Sequence, residues 1–280
     1  MEEYVLPILV FLLLGAAAGV LLTVAAKLLF VKTDETVEKI TEALPGANCG
    51  GCGYSGCSGY AEAVASGKAA ANLCKPGGAP VTEAVSRIMG IEPEVAEREY
   101  AFVRCNGNCG ATEDKFRYIG TESCAAVEKF YNGKGSCAFG CHGLGDCAAV
   151  CEYGAIKMEN GVSVIDAKRC RACGKCVKAC PNHLIVLIKE SQPLAVRCYS
   201  ADTGKVTRTV CKNGCIGCGL CAKKCPEGAI IINQNHAEID GSKCVGCGAC
   251  AQACPTKCIA ALPVCVDRMT EESVPSESAQ

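Results

Sequence analysis

Cysteine spacing is the feature of this sequence that could carry chemistry. The pattern C-x2-C-x2-C-x3-C begins at Cys215 and at Cys244, and a third copy begins at Cys170; proline follows each copy. Four thiols at this spacing are typical ligands of [4Fe-4S] clusters, in which the fourth cysteine of a run ligates the other cluster of a pair. Zinc sites usually pair C-x2-C knuckles instead, so we predict iron-sulfur clusters, with zinc or disulfides as the alternatives.

A shift of 74 residues superimposes the region around the Cys170 run on the region that contains the Cys215 and Cys244 runs. It takes Cys170 onto Cys244 and Cys147 onto Cys221, and the short hydrophobic segments beside the cysteine loops also match. The spacing is that of two-cluster bacterial ferredoxins. We therefore expect an α+β fold that contains two tandem ferredoxin-like modules with two clusters each.

Spacing assigns the cysteines of the modules to four [4Fe-4S] clusters, with the fourth cysteine exchanged between runs. The sets in the first module are Cys137, Cys141, Cys147 and Cys180, and Cys151, Cys170, Cys173 and Cys176. The sets in the second module are Cys215, Cys218, Cys221 and Cys254, and Cys225, Cys244, Cys247 and Cys250.

The first module departs from the standard run at one ligand position. Leu144 stands where the second module has Cys218, so another thiol must complete that cluster. Cys137 is the nearest candidate, because it lies four residues before Cys141. Three thiolates alone would favour a [3Fe-4S] centre, and the fourth ligand therefore stays open.

A different pattern follows a short amphipathic helix predicted over 33–43. Its spacing is C-x2-C-x4-C-x16-C, in a segment whose glycines let backbone N–H groups approach cluster sulfur. The expected ligands of this fifth cluster are Cys49, Cys52, Cys57 and Cys74. A helix from Tyr60 to Ser66 would return the chain to Cys74, and a zinc knuckle is the alternative.

Residues 4–26 contain no charged side chain and are rich in Leu, Val and Ala. As a helix this stretch would be about 35 Å long, enough to cross a bilayer. A signal peptide is the alternative, but Glu2 and Glu3 make the preceding region acidic and the apolar run is too long. Lys27 and Lys32 follow the run, so the positive-inside rule predicts that the cluster domains are cytoplasmic.

The stretch LPGANCGGCGYSGC, with the later CKPGG, resembles a four-cysteine cluster domain found in RnfB subunits, corrinoid iron-sulfur proteins and related sensors. A membrane helix followed by this domain and ferredoxin repeats resembles RnfB over nearly the whole chain. The resemblance implies an electron-transfer subunit of an ion-translocating ferredoxin:NAD oxidoreductase in the cell membrane. Its partners would be soluble ferredoxin and other membrane subunits of the Rnf complex.

The resemblance leaves a second function open, a redox sensor or a reductase of another iron-sulfur protein. The direction of electron flow, the pumped ion and the cluster potentials stay open as well. The G-x-G-x-x-G spacing from Gly51 to Gly56 lies inside the four-cysteine loop rather than in a βαβ unit, and no P-loop occurs. We therefore expect nucleotide and flavin chemistry in another subunit, no catalytic side chains here and no nucleic-acid partner. The three histidines are expected in surface loops.

Five further cysteines could supply a sixth cluster: Cys105, Cys109 and Cys124, which have ligand-like spacing, together with Cys198 or Cys211. Buried thiols are the alternative. The 74-residue shift pairs Cys124 with Cys198 and starts the repeat near residue 120. A hairpin over 194–211 would bring Cys198 close to Cys211. Cys258 and Cys265 are expected to be small buried side chains.

Composition and charge complete the predicted organisation. The 280 residues include 27 cysteines, 31 glycines and no tryptophan, a composition typical of small modules that metal stabilises. Cysteines that must stay reduced to bind metal indicate a reducing compartment. The predicted domains are a membrane anchor (1–31), a four-cysteine domain (32–90), a connector opened by a helix at Glu92 (91–136), two modules (137–190 and 191–265) and a disordered tail (266–280). The net charge of -1 hides a segment of +9 over 160–226. This segment could steer an acidic ferredoxin, and the alternative is that it offsets the negative charge of the clusters.

Overall fold

Helices occur together with short antiparallel strand pairs, in agreement with the predicted α+β class. The computed structural model describes residues 2–28, 34–94 and 96–262. The helices in these residues are α1 (Glu2–Leu28), α2 (Glu35–Ala43), α3 (Cys57–Ala65), α4 (Gly78–Met89), α5 (Cys124–Tyr131), α6 (Asp146–Ala149), α7 (Lys175–Ala179), α8 (Gly204–Val210), α9 (Leu220–Lys224) and α10 (Ala249–Ala253). The strands are β1 (Glu99–Val103), β2 (Ile156–Glu159), β3 (Val162–Ile165), β4 (Ile185–Lys189), β5 (Leu194–Val196), β6 (Ile230–Asn233), β7 (His236–Ile239) and β8 (Ile259–Ala261).

Helix α1 contains the predicted apolar span. Its stretch Ile8–Ala25 is long and apolar enough to cross a membrane. The large apolar side chains from Ile8 to Val24 are exposed rather than packed against the rest of the protein. Such a surface requires an apolar environment, which supports the prediction of a membrane anchor.

Helices α2, α3 and α4 enclose a small core around Ile40, Tyr60 and Val85, each at most 1 % exposed. Helix α2 confirms the prediction for 33–43, and the Asp34 carboxylate caps it by accepting from the backbone N–H of Thr36. The Tyr60 hydroxyl donates to the carbonyl of Ala70 (2.7 Å) and accepts from a backbone N–H further along that loop. These bonds fix the loop that leads to the last cysteine of the domain.

Two hairpins confirm the strands predicted from the repeat. Strand β2 pairs with β3, and β6 pairs with β7. The registers agree under the 74-residue shift, because Ile156 faces Ile165 just as Ile230 faces Ile239. The two modules therefore have the same hairpin in the same place.

A second pair of antiparallel sheets extends the repeat into the predicted connector. Strand β1 pairs with β4 and β5 pairs with β8, so that Val103 faces Ile185 and Val196 faces Ile259. Arg104, just after β1, donates its backbone N–H to the carbonyl of Leu184, just before β4 (2.8 Å). Arg197, just after β5, donates in the same way to the carbonyl of Cys258, just before β8 (2.7 Å). Strand β1 thus occupies in the first module the position of β5 in the second, and the structural repeat begins near residue 99 rather than 120.

Two local predictions are wrong. The segment 194–211 is not a hairpin, since β5 pairs with the distant β8 and the return is made by α8. No helix opens at Glu92, because α4 ends at Gly90 in the left-handed region (φ 68°) and Pro93 disfavours helical backbone at the residue before it.

Candidate iron-sulfur sites

The four-cysteine domain brings its thiols together at the start of α3. Burial and then the nearby thiols of Cys57, Cys49 and Cys52 raise the pKa of Cys74. The Asn48 side chain fixes the loop by accepting from the backbone N–H of Cys57 (2.8 Å). The sequence-predicted residues of this site therefore lie side by side.

The second group lies at the interface of α7 and the hairpin β2–β3. Its cysteines line a cavity of about 330 Å³: Cys151, Cys170, Cys173 and Cys176. Backbone N–H groups of Ala101 and Ala172 donate to the Cys170 sulfur (3.3 and 3.5 Å), and that of Ala155 donates to the Cys151 sulfur (3.4 Å). This grouping is the one predicted from spacing.

The third group differs from its predicted composition. A cavity of about 380 Å³ is lined by Cys124, Cys141, Cys147 and Cys180, with Cys124 in the place expected for Cys137. The carboxylate of Asp146 holds the start of α5 by accepting from the backbone N–H groups of Cys124 (2.9 Å) and Ala125 (3.0 Å) and from the Ser123 hydroxyl (3.0 Å). The helix that carries Cys124 is thereby anchored beside the position that lacks a cysteine.

The second module assembles both of its predicted groups. Cys215, Cys218, Cys221 and Cys254 line a cavity of about 310 Å³. Cys225 shares a core with Cys244 and Cys250, and the Cys247 thiol is near enough to Cys250 to raise its pKa after burial. Cys258 is 1 % exposed, so it is a small buried side chain as predicted, whereas Cys265 lies outside the described residues.

The five further cysteines considered for a sixth cluster do not come together in one group. Another cavity of about 380 Å³ is lined by Cys105, Cys137, Cys198 and Cys211. Cys124 belongs to the third group, and the exposed Cys109 lines none of the four cavities described here. Sequence reasoning overlooked a usable signal, because Val103-Arg104-Cys105 and Val196-Arg197-Cys198 are the same tripeptide after equivalent strands.

The groups fit iron-sulfur clusters in their chemistry. Thiols of at least four cysteines line each cavity, and backbone N–H groups point at sulfur in several of them, as they do around ligated thiolates. Burial raises the pKa of Cys105 and of Cys176 to about 12 and that of Cys147 to about 11. These thiols are therefore neutral until a metal displaces their protons, which couples ligand binding to proton release.

Adjacent groups are linked by direct contacts. Gly51, beside Cys49, lies so close to the Cys173 carbonyl that a Cβ on Gly51 would be 3.3 Å from it. Groups two and three share one hydrophobic core, which contains Cys147 and Cys176. The backbone N–H of Cys141 donates to the Cys105 sulfur at 3.5 Å. The sulfurs thus follow one another from the four-cysteine domain into the modules.

Two of the three histidines differ from their predicted surface positions, and the third agrees with them. His142 and His236 are buried, while His183 is exposed. His142 Nε2 lies 2.9 Å from a carboxylate oxygen of Glu128, and the ring of His236 meets that of Tyr199 edge-on at 4.8 Å. They support the packing around the cysteine groups.

Comparison with known families agrees with this arrangement. Residues 44–76 match the family described as "Putative Fe-S cluster", and residues 169–229 and 214–258 match the 4Fe-4S dicluster domain. The chain is thus a ferredoxin-type iron-sulfur protein with an additional four-cysteine cluster domain.

Relatives identify the particular family. The B subunit of the Na(+)-translocating ferredoxin:NAD(+) oxidoreductase complex of Acetobacterium woodii is 39% identical over 93% of this chain and 78% of its own length. The B subunit of the ion-translocating oxidoreductase complex of Methanosarcina acetivorans is 40% identical, over 92% of this chain and 94% of its own. Its counterpart in the proton-translocating ferredoxin:NAD(+) oxidoreductase complex of Clostridium ljungdahlii is 36% identical over 86% of each chain. The chain belongs to this family of B subunits, and its resemblance to RnfB is confirmed.

Proposed function

We propose that the chain is the membrane-anchored subunit that takes electrons from reduced soluble ferredoxin and passes them to membrane partners of an ion-translocating ferredoxin:NAD oxidoreductase. The observation that carries this proposal is the succession of adjoining cysteine groups, which starts in the domain after the membrane helix and ends in the second module. The names of the relatives supply the reaction and the complex.

The cysteine groups supply the ligands, in our proposal, of five [4Fe-4S] clusters. Four of the sets are those expected from spacing, and in the remaining set Cys124 replaces Cys137 beside Cys141, Cys147 and Cys180. When bound, such clusters supply one-electron redox chemistry without making or breaking bonds to a substrate. The protein's own contribution is to fix the sulfurs and to direct N–H groups at them, which tunes the potential.

The order of the groups gives the subunit two ends. The four-cysteine domain follows the apolar helix α1 and is the end suited to membrane partners. The second module is the distal end, where the Cys218 and Cys247 thiols and the side chains of Lys223 and Lys224 are exposed. A soluble donor reaches exposed groups most readily, so we assign the second module to ferredoxin.

The membrane orientation is testable in intact cells. Because Lys27 and Lys32 follow the apolar run, we expect the cluster domains on the cytoplasmic side. A protease added to intact cells should leave them uncut and should cut them once the membrane is permeabilised. Cleavage in intact cells would overturn both the orientation and the assignment of a cytoplasmic ferredoxin.

Electron delivery is tested with the detergent-solubilised chain, alone and with its co-purifying membrane proteins. Reduced ferredoxin should bleach the chain's visible absorption in both samples, whereas NAD should be reduced only when the membrane partners are present. A colourless chain would indicate zinc, since zinc thiolates do not absorb in the visible. Coloured protein that accepts no electrons from ferredoxin would favour the sensor or reductase of another iron-sulfur protein.

A further inference from the structure

We propose that Cys105, Cys137, Cys198 and Cys211 ligate a sixth [4Fe-4S] cluster, at the junction of the two ferredoxin modules. These four thiols line one cavity, as the four thiols of the Cys124 group line theirs. A Cβ on Gly107 would lie 3.6 Å from both the Cys105 and the Cys211 sulfur, so these sulfurs are no further apart than twice that distance. The site deepens the proposed function, and its role in electron transfer rests on that function.

Each module contributes the same two positions to this site. Cys105 and Cys198 each stand two residues after a first strand, β1 or β5, whose registers are equivalent. Cys137 and Cys211 each stand four residues before the first cysteine of a cluster run. A site built twice from equivalent positions is difficult to explain as four unrelated buried thiols.

Backbone donors point at a sulfur of this site. The Cys105 sulfur accepts from the N–H groups of Gly107 (3.4 Å) and Cys141 (3.5 Å). Backbone donors directed at sulfur are what a ligated cluster requires.

Charge at the site favours an anionic occupant. A [4Fe-4S] cube with four thiolates is a dianion, and two arginines, Arg104 and Arg197, line the cavity. The Arg104 guanidinium lies 3.6 Å from the centre of the Tyr199 ring, which also lines the site. A cluster at this site would place its negative charge beside both guanidinium groups.

The junction is held by contacts from both sides. The backbone N–H of Lys212 donates to the carbonyl of Ala111 (2.8 Å), and the Asn213 amide donates to the carbonyl of Asn106 (3.0 Å). Cys105 belongs to the core of the first module, and Cys198 packs against the core of the second. A cluster here would connect the two modules, and each step would oxidise one group and reduce the next by one electron, without proton transfer.

The test is a metal count on the full chain, purified anaerobically in detergent. Six cubes predict about 24 irons and as many sulfides per chain, whereas five predict about 20. Cys198→Ala and Cys211→Ala should each lose about four irons, or about one if a [3Fe-4S] centre survives on the three remaining thiolates. The matched control is Cys109→Ala, which removes an exposed thiol outside the site and should keep the wild-type count.

The wild-type count also decides the case in which a variant fails to fold. About 20 irons in the wild-type chain, or zinc at the level of one ion per chain, would overturn the proposal. Unchanged iron in both Cys198→Ala and Cys211→Ala would overturn it as well. Iron content is independent of NAD reduction, so a chain that holds all six cubes but accepts nothing from ferredoxin would refute the proposed function and leave this site standing.

Discussion

The two ferredoxin modules assemble equivalent groups from ligands that differ in origin. The second module takes Cys218 from within its run, while the first has Leu144 at that position and receives Cys124 from α5. Helix α5 lies in a segment between Cys105 and Cys137 that is longer by 19 residues than the equivalent segment of the second module. In the proposed ligand set, the cysteine missing from the run is thus supplied by an insertion that Asp146 anchors.

The modules also differ on their surfaces. The positions equivalent to the exposed Lys223 and Lys224 are Ala149 and Val150 in the first module. These two positions are therefore basic in one module and uncharged in the other, although both stand beside a cysteine group. This difference favours the second module as the landing surface for an acidic donor.

The largest effect is expected from removing the imported ligand. Cys124→Ala leaves three thiolates in the third group, so the chain should lose about four irons, or about one if a [3Fe-4S] centre survives. Iron analysis together with EPR of the oxidised protein measures either loss. The backbone N–H of Leu144 faces the Cys124 thiol, which places residue 144 beside the same group.

A second substitution makes this prediction specific. Leu144→Cys restores the standard run, so the double variant Cys124→Ala/Leu144→Cys should recover the lost iron. The matched control is Cys137→Ala, whose iron loss should not be recovered by Leu144→Cys, because Cys137 lies in the junction group. Recovery of the Cys137→Ala variant instead would mean that Cys137 completes the third group, as spacing first suggested.

Whether a cysteine group could be predicted from the sequence depends on how far apart its members lie in the chain. Runs such as that at Cys244 carry their geometry locally, because the short turns and helix between the cysteines fix the sulfurs, and spacing alone identified them. The groups of Cys124 and Cys105 depend on contacts between distant segments, and the 74-residue shift misled by pairing Cys124 with Cys198. Strand register, which the shift does not encode, instead matches Cys105 with Cys198.

The next effect tests whether the modules share one backbone constraint. Gly143 and Gly217 are equivalent, have φ of +74° and +62°, and would each place a Cβ 2.7 Å from a carbonyl oxygen of the neighbouring hairpin. We expect alanine at either position to cost about 3 kcal/mol, from left-handed strain and the clash together. Thermal unfolding of the anaerobic protein measures this cost.

Gly174 is the matched control for that pair. Its φ is +76°, but no atom lies within 4 Å of an added Cβ, so Gly174→Ala should cost only the strain, about 1–2 kcal/mol. Equal costs at all three positions would show that the approach of the hairpin carbonyl contributes nothing. Unequal costs at Gly143 and Gly217 would show that the repeat is not equivalent there.

A smaller effect is expected from the basic surface of the second module. Reversing both charges, with Lys223→Glu and Lys224→Glu, should slow reduction by an acidic ferredoxin about tenfold at low salt, since steering raises association rates by at least that factor. Stopped-flow reduction at several ionic strengths measures it, and the difference should shrink as the Debye length falls. The control, Lys157→Glu on the exposed face of the first module, should have little effect. A loss that is independent of salt, or that includes iron, would assign these lysines to cluster stability.

The smallest effect concerns Cys258, the fifth cysteine at the cavity of Cys215 and Cys254. The equivalent residue of the first module is Leu184, which is equally buried and has no ligating atom, so the shared role of this position is packing. The hydrogen bond with Cys215, and then burial, raise the pKa of Cys258, which keeps its thiol protonated. The Cys258 sulfur lies 3.6 Å from that of Cys254.

Cys258→Ala should therefore keep the full iron content and cost about 1 kcal/mol of stability. It should also shift one cluster potential slightly downwards, because a donor to sulfur that favours the more negative reduced state is lost. Redox titration with iron analysis checks both expectations, and a loss of about four irons would instead make Cys258 a ligand.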